Sequence, residues 1–251
     1  MEIDSQPIEQ VEEVAEASPQ PRLEFALSRI WVVYVLMGLN VLIFVLDQLG
    51  DRILLVFGAL VPVLVLSYGQ WWRILTAGFL HFDLAHIAFN MLALYNLGRS
   101  LERFWGTWRF VLVYGLALLG SSACVTLFQA LEVPGAGASG ALMGIVGAQV
   151  IFFWRYRNAL AGGRVYLRQL LSMAAVNIGI GFLPGISLWG HLGGFIVGGL
   201  AGLALLPRYE LIPESPWRLR VAALSLLELM RAGLVVLALV AAFVLAVVVR
   251  V

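Results

Sequence analysis

The stretch 188–206 reads LWGHLGGFIVGGLAGLALL, and it indicates the class of fold that this chain adopts. These residues contain no Asp, Glu, Lys or Arg. A helix needs about 20 predominantly apolar residues to cross the hydrocarbon core of a bilayer. The stretch therefore predicts a membrane-spanning helix. Its many glycines predict that neighbouring helices approach it closely.

The composition of the whole chain extends this interpretation. Of 251 residues, 61% are hydrophobic and only 12% are charged, whereas about 25% is usual for a soluble domain. The net charge is +1 and no basic patch is visible, so we expect the lipid bilayer as surroundings and no nucleic acid as a partner. We predict an all-α polytopic membrane bundle with seven spans, near 30–49, 84–101, 110–131, 138–154, 165–183, 188–206 and 232–249.

The chain divides into four parts by composition. Residues 1–28 are acidic and rich in Glu, Gln and Ser, which is typical of a disordered tail. Residues 29–206 hold the six-helix core, 207–230 form a proline-containing linker, and 231–251 form the seventh transmembrane helix. Residues 53–72 are apolar but broken by Gly and Pro, so a bent loop embedded in the membrane fits them better than a further spanning helix.

The arginines predict the orientation of the chain. With seven spans, 13 of the 16 arginines fall on one side of the membrane. Basic residues concentrate on the cytoplasmic side of membrane proteins. We therefore expect a multi-pass protein of the plasma (inner) membrane with its N-terminus, its tail and the 207–230 linker in the cytoplasm.

Three patches carry polar groups within apolar surroundings, where such groups are costly and usually functional. The first contains His86 and Asn90, which lie four residues apart and so share one helix face. The second contains Ser139 in a glycine-rich run, and the third contains His191 at the start of the 188–206 stretch. Taken singly, each patch is also compatible with a packing role, because polar and small residues commonly join membrane helices.

Topology joins the three patches. In the predicted orientation, the second, fourth and sixth helices all enter from the outer face. Asn90, Ser139 and His191 then lie about 5–10 Å below that face. A serine nucleophile, a histidine base and amide donors for an oxyanion need such a shared depth, whereas unrelated packing residues do not.

On these motifs the chain resembles the rhomboid family over about residues 30–206. The motifs occur in family order: Trp72-Arg73, His81…His86…Asn90, Gly98-x-x-x-Glu102-x-x-x-Gly106, Gly137-Ala-Ser139-Gly140 and His191-x-x-Gly194-x-x-x-Gly198. One position departs from the family. The residue one turn after the nucleophile is often aromatic in the family, whereas in this chain it is Met143.

The resemblance implies a role for each motif. It implies a catalytic dyad of Ser139 and His191 without an Asp. The oxyanion hole would consist of the Ser139 backbone amide with the side chains of His86 and Asn90. Glycines for helix packing would be Gly137, Gly140, Gly194 and Gly198. Residues 53–80 would be a membrane-embedded loop that Arg73 helps to hold, and Glu102 would brace the cytoplasmic end.

The function implied is that of an intramembrane serine endopeptidase without cofactor or metal. It would cut single-span transmembrane proteins near the outer end of their helix. A rhomboid-like protein that binds membrane proteins without cutting them is the main alternative. Both Ser139 and His191 are present, which argues against it. A transporter is a weaker alternative, since no inverted repeat or buried carboxylate pair is evident.

Overall fold

The computed structural model describes residues 24–160, 162–183, 185–212 and 218–250, and within them the chain is mostly helical. The prediction of a helical chain is confirmed. The helices, in chain order, are α1 Val32–Leu49, α2 Ile53–Gly58, α3 Pro62–Leu66, α4 Arg73–Thr76, α5 Leu84–Ala93, α6 Arg99–Trp105, α7 Thr107–Phe128, α8 Ser139–Tyr156, α9 Gly163–Ile180, α10 Leu188–Ala204 and α11 Leu226–Arg250.

Six of the seven predicted spans coincide with one long helix each, apart from a few residues at the ends, and the second covers α5, a π-helical turn and the start of α6. By length and composition, two helices of the described part could cross a membrane alone, namely α1 and α7. A third span results if Arg73–Phe79 and Leu84–Trp105, which meet at 89°, are counted as one broken segment. The helices α8, α9 and α11 are not among these candidates, and α10 is apolar but has only 17 residues. The full count of seven spans therefore stays a prediction.

The second predicted span contains a π-helical turn at Leu94–Gly98, which joins α5 to α6. A π-turn interrupts the regular hydrogen-bond pattern of the surrounding α-helix. The Gln149 side chain on α8 donates its Nε2 to the Leu97 carbonyl at 3.1 Å, so a neighbouring helix satisfies part of this turn. Gln149 is buried. The contact therefore ties α8 to the irregular segment of the second span.

A small three-stranded sheet departs from the all-α prediction. It consists of β1 (Glu24–Ala26), β2 (Tyr209–Ile212) and β3 (Arg218–Val221) in the order β1-β3-β2. β1 lies within the predicted disordered tail, whose residues 1–23 lie outside the described part, and the other two strands lie within the predicted linker 207–230. Sequence patterning missed the sheet because its strands are only three or four residues long.

The centre of the molecule is the packing of α8 against α7 and α10. A methyl group added at Gly194 would lie 1.9 Å from the Gly140 carbonyl oxygen, and one at Gly198 would lie 2.1 Å from the Gly144 Cα. The backbones of α8 and α10 therefore touch along a stripe where any side chain would collide. The role of Gly140, Gly194 and Gly198 in helix packing stays a prediction, which these close approaches support.

The segment from α2 to α4 forms a bent loop of short helices beside the core. Buried Arg73 holds it together by donating Nη1 to the carbonyls of Val56 (3.0 Å) and Ala59 (2.6 Å). Leu60 in this loop pairs with Gly135, with two N–H···O distances of 2.8 Å. The loop is thereby tied to the segment that precedes α8.

Two buried carboxylates fix the opposite end of the bundle. Glu102 accepts from the backbone amides of Trp31, Val32 and Val33 at 3.0–3.3 Å, which satisfies the free N–H groups at the start of α1. Glu228 in the first turn of α11 pairs with Arg109 of α7, with Nη2 and Oε1 2.7 Å apart. These contacts join the ends of distant helices.

Candidate active site

Ser139 is the first residue of α8 and follows a loop with unusual backbone geometry. Gly137 in this loop has φ +119°, which residues with a side chain rarely adopt. A methyl group there would also lie 2.6 Å from His86 Nε2. Gly137 lies in the loop before α8, where it makes room for the His86 ring of α5, and its proposed role in helix packing stays a prediction. The Gly137 amide donates to the Ala77 carbonyl at 2.9 Å, which fixes the loop.

His191 lies in the first turn of α10, directly opposite Ser139. The hydroxyl of Ser187 caps this helix by accepting from the Gly190 amide at 3.1 Å. His191 Nε2 and Ser139 Oγ are 3.1 Å apart, which is within hydrogen-bond distance. The glycine contacts between α8 and α10 allow this separation, because they bring the two helix backbones together just below the pair.

The second ring nitrogen of His191 has its own partner. Nδ1 lies 2.9 Å from the backbone carbonyl oxygen of Asn177 on α9. A carbonyl only accepts, so Nδ1 carries the proton in this bond and Nε2 remains free to accept from the Ser139 hydroxyl. The Asn177 carbonyl is available because it is one of the last four of α9, which have no partner within the helix.

Backbone contacts also orient the His86 ring, but here they leave the proton on Nε2 instead of Nδ1. Asp83 caps α5 by accepting from the His86 amide at 2.8 Å. The Phe82 amide donates to His86 Nδ1 at 3.4 Å, and the Phe82 ring stacks on the imidazole with 5.8 Å between centroids. With Nδ1 accepting, the proton resides on Nε2. That N–H faces the loop before Ser139, where an anionic oxygen could be bound.

Asn90 lies one turn further along α5 and is buried. Its Nδ2 donates to the His86 carbonyl at 2.8 Å, and Nδ2 carries a second N–H group. Its Oδ1 has no hydrogen-bond partner among the described residues. A buried amide that is only partly satisfied is available to a ligand.

Several contributors to this site were missed by sequence analysis. They include the Asn177 carbonyl, the Phe82 amide and Arg52, which donates Nη2 to the His81 and Phe82 carbonyls at 3.1 and 2.7 Å. Arg52 thus holds the turn before α5 from the end of α1, where it also lies 3.4 Å from Asp47. Backbone atoms carry no residue identity, so no motif could have revealed the first two. Met143, the position that departs from the family, is buried and packs with Val146 and Leu170.

In the described part of the chain, no group of three or more His, Cys, Asp or Glu side chains lies close enough together to hold an ion. The described geometry places a serine hydroxyl within hydrogen-bond distance of an imidazole nitrogen, with N–H donors close by. This is the arrangement of nucleophile, base and oxyanion site that acyl transfer requires.

Comparison with known proteins gives a consistent result. The family model described as Rhomboid domain matches residues 68–208. Rhomboid protease GluP of Bacillus subtilis is 36% identical over 186 residues, which cover 70% of this chain and 35% of that protein. Rhomboid protease AarA of Providencia stuartii is 29% identical over 239 residues, which cover 83% of this chain and 82% of that protein. RHOMBOID-like protein 4 of Arabidopsis thaliana is 34% identical over 157 residues, which cover 61% of this chain and 38% of that protein.

The chain thus spans little more than a third of the Bacillus and Arabidopsis relatives. It matches most of the Providencia protein. The region matched by the family model contains every predicted site residue from His86 to His191.

Proposed function

Because this chain belongs to the rhomboid family of integral membrane proteins, we propose that it is a serine endopeptidase that cuts other membrane proteins within the bilayer. The observation that carries the proposal is the 3.1 Å contact between Ser139 Oγ and His191 Nε2. Named relatives in Bacillus and Providencia are rhomboid proteases, which supports the same activity here.

In the proposed reaction His191 acts as the general base. Its Nε2 takes the hydroxyl proton as Ser139 Oγ attacks the substrate carbonyl carbon, and the proton then passes to the leaving amine. Water hydrolyses the resulting acyl-enzyme ester with the same base. The imidazolium that forms in each step is next to the C-terminal end of α9, whose partial negative charge favours a cation.

Hydrogen-bond donors are needed to stabilise the negative charge that develops on the substrate carbonyl oxygen. We propose the Ser139 backbone amide, the Nε2–H of His86 and the second N–H of Asn90 for this role. The Ser139 amide begins α8 and therefore has no acceptor within the helix. The donors are held before the substrate arrives, and such preorganisation is usually the largest single contribution to catalysis.

We further propose that residues 29–206 form a six-helix catalytic core, that 207–230 link it to the seventh span, and that the N-terminus is cytoplasmic. The asymmetry of 13 arginines to 3 supports this orientation. The site then opens near the outer face of the plasma membrane. Its substrates would be single-span proteins cut near the outer end of their transmembrane helix.

The test uses the purified full chain in liposomes with a fluorescent single-span substrate. We expect cleavage by the wild type and none by Ser139→Ala, while the exposed Ser172→Ala serves as the matched control and cuts normally. A serine-reactive fluorophosphonate should label the wild type, and labelling should disappear in Ser139→Ala. Cleavage by a folded Ser139→Ala protein would contradict the assignment of the nucleophile. A wild type that binds substrate but neither cuts nor labels would favour the non-proteolytic alternative.

A further inference from the structure

A groove of about 730 Å³ lies on the side of the molecule formed by α7, α10 and α11. None of the residues assigned to the active site lines it. Its floor and walls are small or aliphatic, with Gly120, Cys124, Ala204, Ala238 and Ala242 among the lining residues. Small side chains at the contact of three helices leave space that no other described residue fills, so the groove is open to an apolar occupant.

A single charged side chain, Arg231, lines this groove. Arg231 is exposed and makes no hydrogen bond or ion pair with any residue that the structure describes. The acidic residue one turn before Arg231, Glu228, already forms an ion pair with another arginine. Glu228 pairs with Arg109 at 2.7 Å and lies 3.8 Å from Arg208. The positive charge of Arg231 is therefore left for a partner in the groove.

The length of the groove distinguishes between possible occupants. Along α11 its lining runs from Arg231 to Ala242, eleven residues apart. At 1.5 Å per residue this is about 16 Å. The hydrocarbon core of a bilayer is about 30 Å thick, so one leaflet is about 15 Å. A lipid tail fits that length, whereas the transmembrane helix of another protein would need a surface about twice as long.

The position of the arginine agrees with a lipid. Arg231 lies near the start of α11, where the chain leaves the small sheet, and the apolar lining extends from there along the helix. In the orientation proposed above this end is cytoplasmic, and anionic lipids are concentrated in that leaflet. A phosphate at Arg231 would also gain charge-assisted hydrogen bonds.

We propose that this groove is a binding site for an anionic phospholipid, with an acyl chain between α7, α10 and α11 and the phosphate at the Arg231 guanidinium. The site is separate from the catalytic pair and does not depend on proteolytic activity. It gives α11, which supplies no residue to the proposed reaction, a function as one wall of a lipid site.

The first test measures lipid retention by the full chain in detergent, using native mass spectrometry. The probes are phosphatidylglycerol and phosphatidylcholine with identical acyl chains. We expect the wild type to retain phosphatidylglycerol about fivefold more strongly, since one basic residue near the membrane surface contributes about 1 kcal/mol. Arg231→Gln should remove this preference. Arg168→Gln should keep it, because Arg168 is an exposed arginine five residues into α9, as Arg231 is five residues into α11.

The second test fills the groove. Ala238 lines it, whereas Ala241 is exposed on the same helix and does not. Ala238→Phe should reduce the retention of both lipids, and Ala241→Phe should leave it unchanged. Circular dichroism and fluorophosphonate labelling at Ser139 report whether each variant is folded. If Ala238→Phe does not fold, crosslinks from a phosphatidylglycerol with a photoactivatable tail should map to α7, α10 and α11 of the wild type.

Three kinds of result would overturn the proposal. The first is equal retention of the two lipids by the wild type. The second is a preference that survives Arg231→Gln, or crosslinks that map to other helices. The third is a dimer that Ala238→Phe separates into monomers while the wild type shows no lipid preference, because a second copy of the chain would then cover the groove.

Discussion

At the scale of single residues, the proposed reaction depends on which ring nitrogen of each histidine carries the proton. The Asn177 carbonyl requires Nδ1–H in His191, and the Phe82 amide requires a bare Nδ1 in His86. One ring is thus prepared to accept from a serine and the other to donate to an anion. Two histidines of the same chemistry acquire opposite roles through backbone contacts on their far sides.

Asn90→Ala should lower turnover without abolishing it. Loss of one oxyanion donor reduces the rate of a known hydrolase by about 10²–10³, and the Ser139 amide and His86 would remain. The measurement is the cleavage rate at saturating substrate, where the effect should appear in kcat rather than in KM.

Asn96→Ala is the matched control for this change. Asn96 is exposed and donates Nδ2 to the carbonyl four residues before it at 2.9 Å, as Asn90 does at 2.8 Å. The two substitutions remove the same kind of local contact, and only Asn90 is proposed to meet substrate. Equal rates for the two variants would exclude Asn90 from the oxyanion site.

Sequence alone predicted three side chains of the candidate site, because Asn90, Ser139 and His191 are polar groups at one depth among apolar residues, and the resemblance to the rhomboid family added His86. The sequence could not identify the Asn177 carbonyl, since every residue supplies that atom. Sequence already placed Gly137 just before the fourth span at 138–154, but it could not show that this glycine has φ +119° and lies against the His86 ring, because both depend on tertiary contacts.

At the scale of elements, the contact between α8 and α10 determines whether the catalytic pair can meet. Gly194→Ala should abolish activity, because the new methyl group would lie 1.9 Å from the Gly140 carbonyl oxygen and would push the helices apart. Gly199→Ala on the same helix is the control. There the nearest atom is 3.8 Å away, which is ordinary contact, so we expect activity to be retained. Similar losses in both variants would mean that α10 tolerates no added methyl group, whatever its position.

The contact between Gln149 on α8 and the π-turn at Leu94–Gly98 predicts that replacing Gln149 lowers the free energy of unfolding. Gln149→Met should destabilise the protein by about 1–3 kcal/mol, since the Leu97 carbonyl loses its 3.1 Å donor in a buried position. The measurement is unfolding of the purified chain in detergent. Gln48→Met on exposed α1 surface should have little effect. A neutral result for Gln149→Met would show that the carbonyl finds another donor.

The long helices and the bent course of residues 53–72 were predictable, whereas the strands were not. Long apolar runs placed the helices correctly because burial in lipid demands regular hydrogen bonding over their whole length. The strands β1, β2 and β3 are short. β3 pairs with the nearby β2, and it pairs with β1 across some 190 residues of chain, from Glu24 to Arg218. The pairing of β1 with β3 is a tertiary contact that no local pattern in the sequence indicates.

At the scale of the whole molecule, the Arg109–Glu228 pair connects α7 to α11. Both side chains are buried, and Arg109 also donates to the Ala222 carbonyl at 2.8 Å. Breaking a buried ion pair by removing one partner costs about 3–5 kcal/mol, because the remaining charge is left without compensation. Glu228→Gln should therefore destabilise the full chain, not just detach α11.

This pair also predicts a dependence of stability on pH. Burial raises the pKa of Glu228, but hydrogen bonds from Ser225 and Arg109 outweigh that effect and hold the pKa below its usual 4.5. A lowered pKa stabilises the folded state above about pH 4.5, and this contribution is lost as the pH falls further. The difference in unfolding temperature between the wild type and Glu228→Gln should therefore shrink from pH 7 towards pH 3. A constant difference would show that this carboxylate does not titrate with unfolding.

The carbonyl that orients His191 has a consequence for how this protein can vary. Position 177 contributes its main-chain carbonyl to the base, and among the residues that the structure describes its side chain donates to the Met173 carbonyl alone. A library of substitutions at 177 should therefore yield many active clones. The intolerant position should be Gly181, where α9 ends and where a methyl group would lie 2.7 Å from the Leu188 Cα. Natural selection would therefore conserve Gly181, where α9 ends, while the amino acid at position 177, whose carbonyl contacts the base, could vary.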